Sequence, residues 1–175
     1  MDLVCTPQKV IGLMVTAYFV GFTIGGLFYS LPDKYGRRKA LVFGMLLSCI
    51  AQCIAIYIPT IWARSAAFFL MGLAQIKIGV AYVWLAGCTS SRYKPRAFTI
   101  INIFDALPMT IICLYFMFIS KDWYPICLFM LVLSFVATGL AFLCPESPRW
   151  HLVNGRGDEA IEMFNQIAKI NGSEV

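Results

Sequence analysis

Apolar residues run through this chain in long blocks rather than in alternation. No charge occurs from Val10 to Leu31, from Ala40 to Ala63, from Ser65 to Ile76, from Ile78 to Ser91 or from Trp123 to Pro145. A helix needs about 20 apolar residues to cross a hydrocarbon core of ~30 Å, so these blocks predict spanning helices. We place five, over residues 9–31, 40–58, 62–88, 97–119 and 124–144. Their connections are short, which makes consecutive helices antiparallel neighbours.

The pattern changes at Pro145. Beyond it Ala160, Ile161, Phe164, Ile167 and Ala168 form one apolar stripe on an otherwise charged stretch, bounded by Gly157-Asp158 and Asn171-Gly172. The spacing predicts a short amphipathic helix lying on the membrane domain or the bilayer surface, or holding a partner with the same stripe. The chain therefore divides into a five-helix transmembrane portion, 1–144, and a linker segment, 145–175.

Composition agrees with this division. Sixty per cent of the 175 residues are apolar and 13% are charged, more apolar surface than a soluble fold of this size can hide. The first block is too long and glycine-rich for a signal peptide, and no basic segment precedes it. The net charge of +5 does not point to nucleic acid, because the basic residues are confined to short loops. Lys34, Arg37, Arg38 and Lys39 lie in the first loop and Arg92, Lys94 and Arg96 in the third, against only Lys9, Arg64 and Lys121 on the other side. That asymmetry places the first and third loops and the C-terminal segment in the cytoplasm and the N-terminus outside. Seven cysteines form no CxxC pair, and six of them fall in or at the end of apolar blocks as small hydrophobes. One histidine, His151, and no Cys/His cluster leave no metal site or cofactor to expect. Nor does any nucleophile–base pair or phosphate loop suggest an enzyme.

Three segments carry a family resemblance. The loop Asp33-Lys34-Tyr35-Gly36-Arg37-Arg38 resembles the D-[RK]-x-G-R-[RK] loop between helices two and three of the major facilitator superfamily. Pro145-Glu146-Ser147-Pro148-Arg149-Trp150 is similar to the stretch closing helix six in sugar porters and organic-ion transporters. Asp2-Leu3-Val4-Cys5 resembles the end of the external loop of organic cation and anion transporters, which favours that branch. The resemblance implies an all-α, multi-pass helix bundle corresponding to family helices two to six. Its partners would be the lipid bilayer, a small-molecule solute, and a first helix and C-terminal half from the same gene or another chain. It also implies transport by alternating access, most readily at the plasma membrane.

A loop that only orients the chain needs no more than its basic residues. Gly36, able to take positive φ, and Asp33, able to pair with Arg37 or a helix end, suit a gate whose contacts form in one state and break in the other. Arg38, Arg96, Glu146 and Arg149 complete the candidate cytoplasmic set, with Glu146 and Arg149 bridging to the basic loops. The family carries a glycine where Tyr29 stands here, which questions close helix approach at that point. It commonly has a glutamate where Thr89 stands, seven residues before Arg96. Phe68, four residues before Gly72, replaces the embedded arginine of proton-coupled members.

Two charges lie inside apolar helices. Lys77 and Asp105 each cost ~2.5–3.5 kcal/mol at a helix centre, and counting along their antiparallel helices puts them at depths within about 5 Å of each other. A Lys77–Asp105 pair is the expected arrangement, either lining a substrate cavity or buried as a structural link. Thr99, Asn102, Asp105 and Met109 share a helix face that water could wet, and Pro108 can bend that helix. Asp105 suits a cation and Lys77 an anion. The lysine resembles one found near this place in organic cation transporters, so the resemblance leans towards cations. Gly21 and Gly25, with Gly72, Gln75 and Gly79, are expected to pack helices closely, and Trp62, Trp123 and Tyr124 to anchor the outer rim. Besides organic-ion transport, two readings stay open. One is a sugar or polyol carrier. The other is a truncated, non-transporting membrane protein that pairs with a full-length relative.

Overall fold

The computed structural model describes residues 7–170, with side chains to residue 165. The Asp2-Leu3-Val4-Cys5 segment, the side chains of Ile167 and Ala168, and Asn171-Gly172 lie outside these residues. The described chain is helical, in the order α1 (Gln8–Leu27), α2 (Leu31–Tyr35), α3 (Arg37–Tyr57), α4 (Ile61–Leu73), α5 (Ile76–Cys88), α6 (Lys94–Phe118), α7 (Trp123–Leu143), α8 (Pro148–Val153) and α9 (Gly157–Ile170). Five spans are long and apolar enough to cross a membrane: α1, α3, α4 with α5, α6, and α7.

The predicted helix over 62–88 is two helices within one 28-residue span. At Ala74–Gln75 the ladder tightens to bonds three residues apart: Gln75 N–H to Gly72 O at 3.1 Å, Lys77 N–H to Ala74 O at 3.2 Å and Ile78 N–H to Gln75 O at 3.0 Å. Ala74 and Gln75 are no helix breakers, so the joint comes from packing rather than local propensity. Helices α1 and α3 both close onto this α4–α5 unit and scarcely touch each other, while α7 packs on α3.

Glycines make the closest of these approaches. A Cβ on Gly21 would stand 2.1 Å from Phe69 O, and one on Gly72 would stand 2.0 Å from Tyr18 O. The two backbones therefore touch where side chains are absent on both. Gln75 joins the same seam, donating to the Tyr18 hydroxyl at 2.8 Å. Tyr29 does not prevent close contact, because its ring fills the space left by Gly79, 2.3 Å from where a Cβ would stand.

Helix α6 differs from the rest. It runs through Pro108 and carries no buried residue. The core is accordingly thin, built from small groups such as Cys49, Ala51, Ala67 and Ala74. Beyond α7, Ala160 is buried, whereas Ile161 and Phe164 of the predicted stripe are exposed. The described part of α9 packs on α8.

Candidate functional site

The first loop is built around one backbone position. Pro32 near the start of α2 has its φ preset for a helix, and Asp33 puts an acid in the first turn. Gly36 ends α2 at φ 111° and ψ 134°, a region that excludes other residues, and α3 begins immediately after it. No side chain in the loop caps α3. The cap comes from far along the chain: the Glu146 carboxylate accepts the Arg38 N–H at 2.9 Å and 3.2 Å from its two oxygens, and the Ser147 N–H at 3.1 Å. A negative group at a helix N-terminus meets both unpaired donors and the positive dipole end. It can come so near only because Gly36 has no side chain, a Cβ there standing 2.8 Å from Glu146 Oε2.

Further contacts tie the same end of the bundle together. Arg37 donates to Asp33 Oδ1 from Nε at 3.1 Å and from Nη2 at 3.0 Å. Arg38 Nη2 donates to Phe142 O in the last turn of α7, where a cation also suits the dipole. Trp150 Nε1 donates to Asp33 O at 2.8 Å and Trp84 Nε1 to Pro145 O at 3.1 Å. Residues 145–150 thus touch α2, α3 and α5, and Arg38 adds the end of α7. The structure brings Asp33, Gly36, Arg37, Arg38 and Glu146 into one cluster. Arg149 stands beside it, exposed, against the cleft it shares with Asp33, Arg37 and Ala86. Arg96, at the start of α6, is exposed and outside the cluster.

The intramembrane charges are arranged differently from expectation. Lys77 and Asp105 do not pair. Lys77 faces α3, its Cβ against Gly44 and its Nζ donating to Ser48 Oγ. Counting residues gives a depth along each helix, but depth does not determine which way a side chain faces. Ser48 begins a polar seam through the bundle: Cys49 Sγ lies 3.4 Å from Thr138 Oγ1, and Gln52 exchanges hydrogen bonds with Ser134 at 3.2 Å. The sequence reading missed this seam. Its signal was Ser48, Cys49 and Gln52 within two turns of an apolar helix. Asp105 is exposed and makes no hydrogen bond or ion pair among the described residues. Asn102 shares that face, accepting from the Tyr82 hydroxyl at 2.6 Å and donating to Phe98 O at 2.9 Å.

The chain is similar to known proteins over nearly its whole length. The profile described as Major Facilitator Superfamily matches residues 6–169. A steroid transmembrane transporter of Oryctolagus cuniculus is 29% identical over 175 residues, covering 99% of this chain and 32% of that protein. Organic cation/carnitine transporter 2 of Mus musculus is 29% identical over 174 residues, covering 98% of this chain and 31% of its own length. A protein of the same name in Arabidopsis thaliana is 29% identical over 183 residues, covering 99% and 34%. The chain spans about a third of the length of these curated relatives.

Proposed function

Because the chain belongs to the Major Facilitator Superfamily, we propose that it supplies most of the N-terminal half of a carrier for small organic ions. In this reading the carrier works by alternating access at the plasma membrane, moving solute without chemical change. The observation that carries it is the Glu146 cap on α3. A carboxylate from the segment after the last span holds the loop after the first, and a rigid-body rearrangement can make or release that bond as a unit. Asp33, Gly36, Arg37, Arg38, Glu146 and Arg149 form the gate, on the cytoplasmic side by the positive-inside rule. Arg96 sits at the same end and answers to the other half of the carrier.

The exposed faces of α6 and α1 receive the further helix and the second half, whether from the same gene product or from another chain. What supports this is an α6 without a buried residue yet holding Asp105 in an apolar span, a cost that a lipid-facing position does not offset. Asp105 and Asn102 line the substrate path. Organic cations are the class that fits: Lys77 is turned away to donate to Ser48, whereas Asp105 makes no hydrogen bond or ion pair among the described residues, and several relatives are named organic cation/carnitine transporters.

Uptake of a labelled organic cation by cells expressing the gene's full-length product tests this. Asp105→Asn should lower uptake at least tenfold at unchanged surface abundance, and Lys77→Gln should lower it far less. Equal uptake by Asp105→Asn and wild type would remove Asp105 from the path. No uptake of any organic ion by the wild type would sink the carrier reading.

A further inference from the structure

Two cavities adjoin on one flank of the bundle, and Tyr35, Lys39 and Phe43 line both. The first, of about 440 Å³, is a groove between α1 and α3 with Gly25, Gly44, Leu73 and Ile76 at its base. It exists because both helices lean on the α4–α5 unit through glycine. A Cβ on Gly25 would stand 2.8 Å from Leu73 O, and one on Gly44 would stand 3.0 Å from Lys77 Cβ. Each helix reaches the common support without meeting the other. Lys39 and the Tyr35 hydroxyl are the polar side-chain groups of this groove, and Phe28, Leu31 and Phe43 at its edges are exposed.

The second cavity, of about 530 Å³, continues past Lys39 to the basic end of the bundle, where Arg38, Arg156, His151 and Glu146 line it. Glu146 is occupied by the Arg38 and Ser147 N–H groups, and Arg38 by Phe142 O. Lys39 is exposed and makes no hydrogen bond or ion pair among the described residues. Arg156 lies 3.7 Å from Glu159, with both side chains half exposed.

We propose that this double groove holds one acidic phospholipid from the leaflet facing the basic loops, with an acyl chain between α1 and α3 and the phosphate at Lys39 and Arg156. Water gains nothing in an apolar groove at bilayer depth, whereas an acyl chain fits it. From Lys39 to Leu47 α3 rises about 12 Å, against a leaflet roughly 15 Å deep. The cations stand where the headgroup of such a chain emerges, and each Lys or Arg near an acidic headgroup strengthens binding about fivefold.

The test is electron spin resonance on the gene's full-length product in phosphatidylcholine bilayers, with spin-labelled phosphatidylserine or phosphatidylcholine as probe. Phosphatidylserine should be held preferentially. That preference should fall about fivefold in Lys39→Gln and roughly 25-fold with Arg156→Gln added, and it should survive in Lys39→Arg. Ala40→Phe, which fills the groove without altering charge, should also abolish it. The amount of immobilised phosphatidylcholine reports that each variant is folded. Equal retention of the two lipids by the wild type overturns the proposal. So does a preference that Lys39→Gln leaves intact, or one that Ala40→Phe leaves intact, which would mark headgroup attraction without a chain site.

Discussion

Replacing Gly36 by alanine tests whether the loop is built around the Glu146 cap. Two costs act together. The backbone at φ 111° and ψ 134° lies where a Cβ-bearing residue pays ~1–3 kcal/mol. The new Cβ would also stand 2.8 Å from Oε2 of a carboxylate that three hydrogen bonds from two N–H groups hold in place. Displacing it loses charge-assisted bonds worth about 1.5–3 kcal/mol. Gly36→Ala should therefore cost ~2.5–6 kcal/mol. Gly155 supplies the control, since it also has positive φ, 73°, but nothing stands within 4 Å of a Cβ there. Gly155→Ala should cost only about 1 kcal/mol. Stability would be measured by titrating a denaturing detergent into mixed micelles and following tryptophan fluorescence. In a double-mutant cycle, Gly36→Ala combined with Glu146→Ala should cost at least 1 kcal/mol less than the sum of the single variants. Equal losses at positions 36 and 155, or strict additivity with Glu146→Ala, would refute the reasoning.

Other expectations follow from the same geometry. Gly72→Val should cost more than 3 kcal/mol, because its Cβ would stand 2.0 Å from Tyr18 O, backbone that cannot yield, while Gly12→Val, with open space around it, should stay within about 0.5 kcal/mol. Gly79→Ala should cost ~1–3 kcal/mol by colliding with the Tyr29 ring and should be rescued by Tyr29→Gly; both comparisons use the same detergent titration. Trp150→Phe should cost about 1 kcal/mol by removing the indole donor to Asp33 O, and should make an engineered cysteine at position 33 react faster with a water-soluble maleimide.

The spans were legible because lipid imposes a length and a composition that a sequence must display. The residues of the rim were legible too, as charges and glycines in short loops. Their pairing was legible only in part. Asp33 and Arg37 are four residues apart on adjoining helical turns, so their contact is local and could be anticipated. Glu146 was expected to bridge to the basic loops, and it reaches the first of them through the Arg38 backbone N–H, a detail hidden because the need of α3 for a cap appears only once Gly36 is seen in place. The Lys77–Asp105 pair failed for a related reason. Rise along an axis follows from counting, whereas rotation depends on which face packs where, and Gly44 turns the Lys77 stem towards α3. The joint at Ala74–Gln75 left no mark in composition, because both residues favour helix and the distortion is imposed by neighbours on two sides.

The crossing of α1 with α4 has a consequence for how the protein is made. Gly21 finds its partner backbone near Gly72, about 50 residues later, or ~3–10 s of synthesis at ordinary ribosome speeds. Until α4 is inserted, α1 lacks this support, because α3, the next span described, scarcely touches it. Among the described helices α1 and α3 are joined through the α4–α5 span, which acts as the keystone that locks both at once. A substitution that slows insertion of that span should prolong this exposed interval and send more chains to quality control, even where the finished protein tolerates the change.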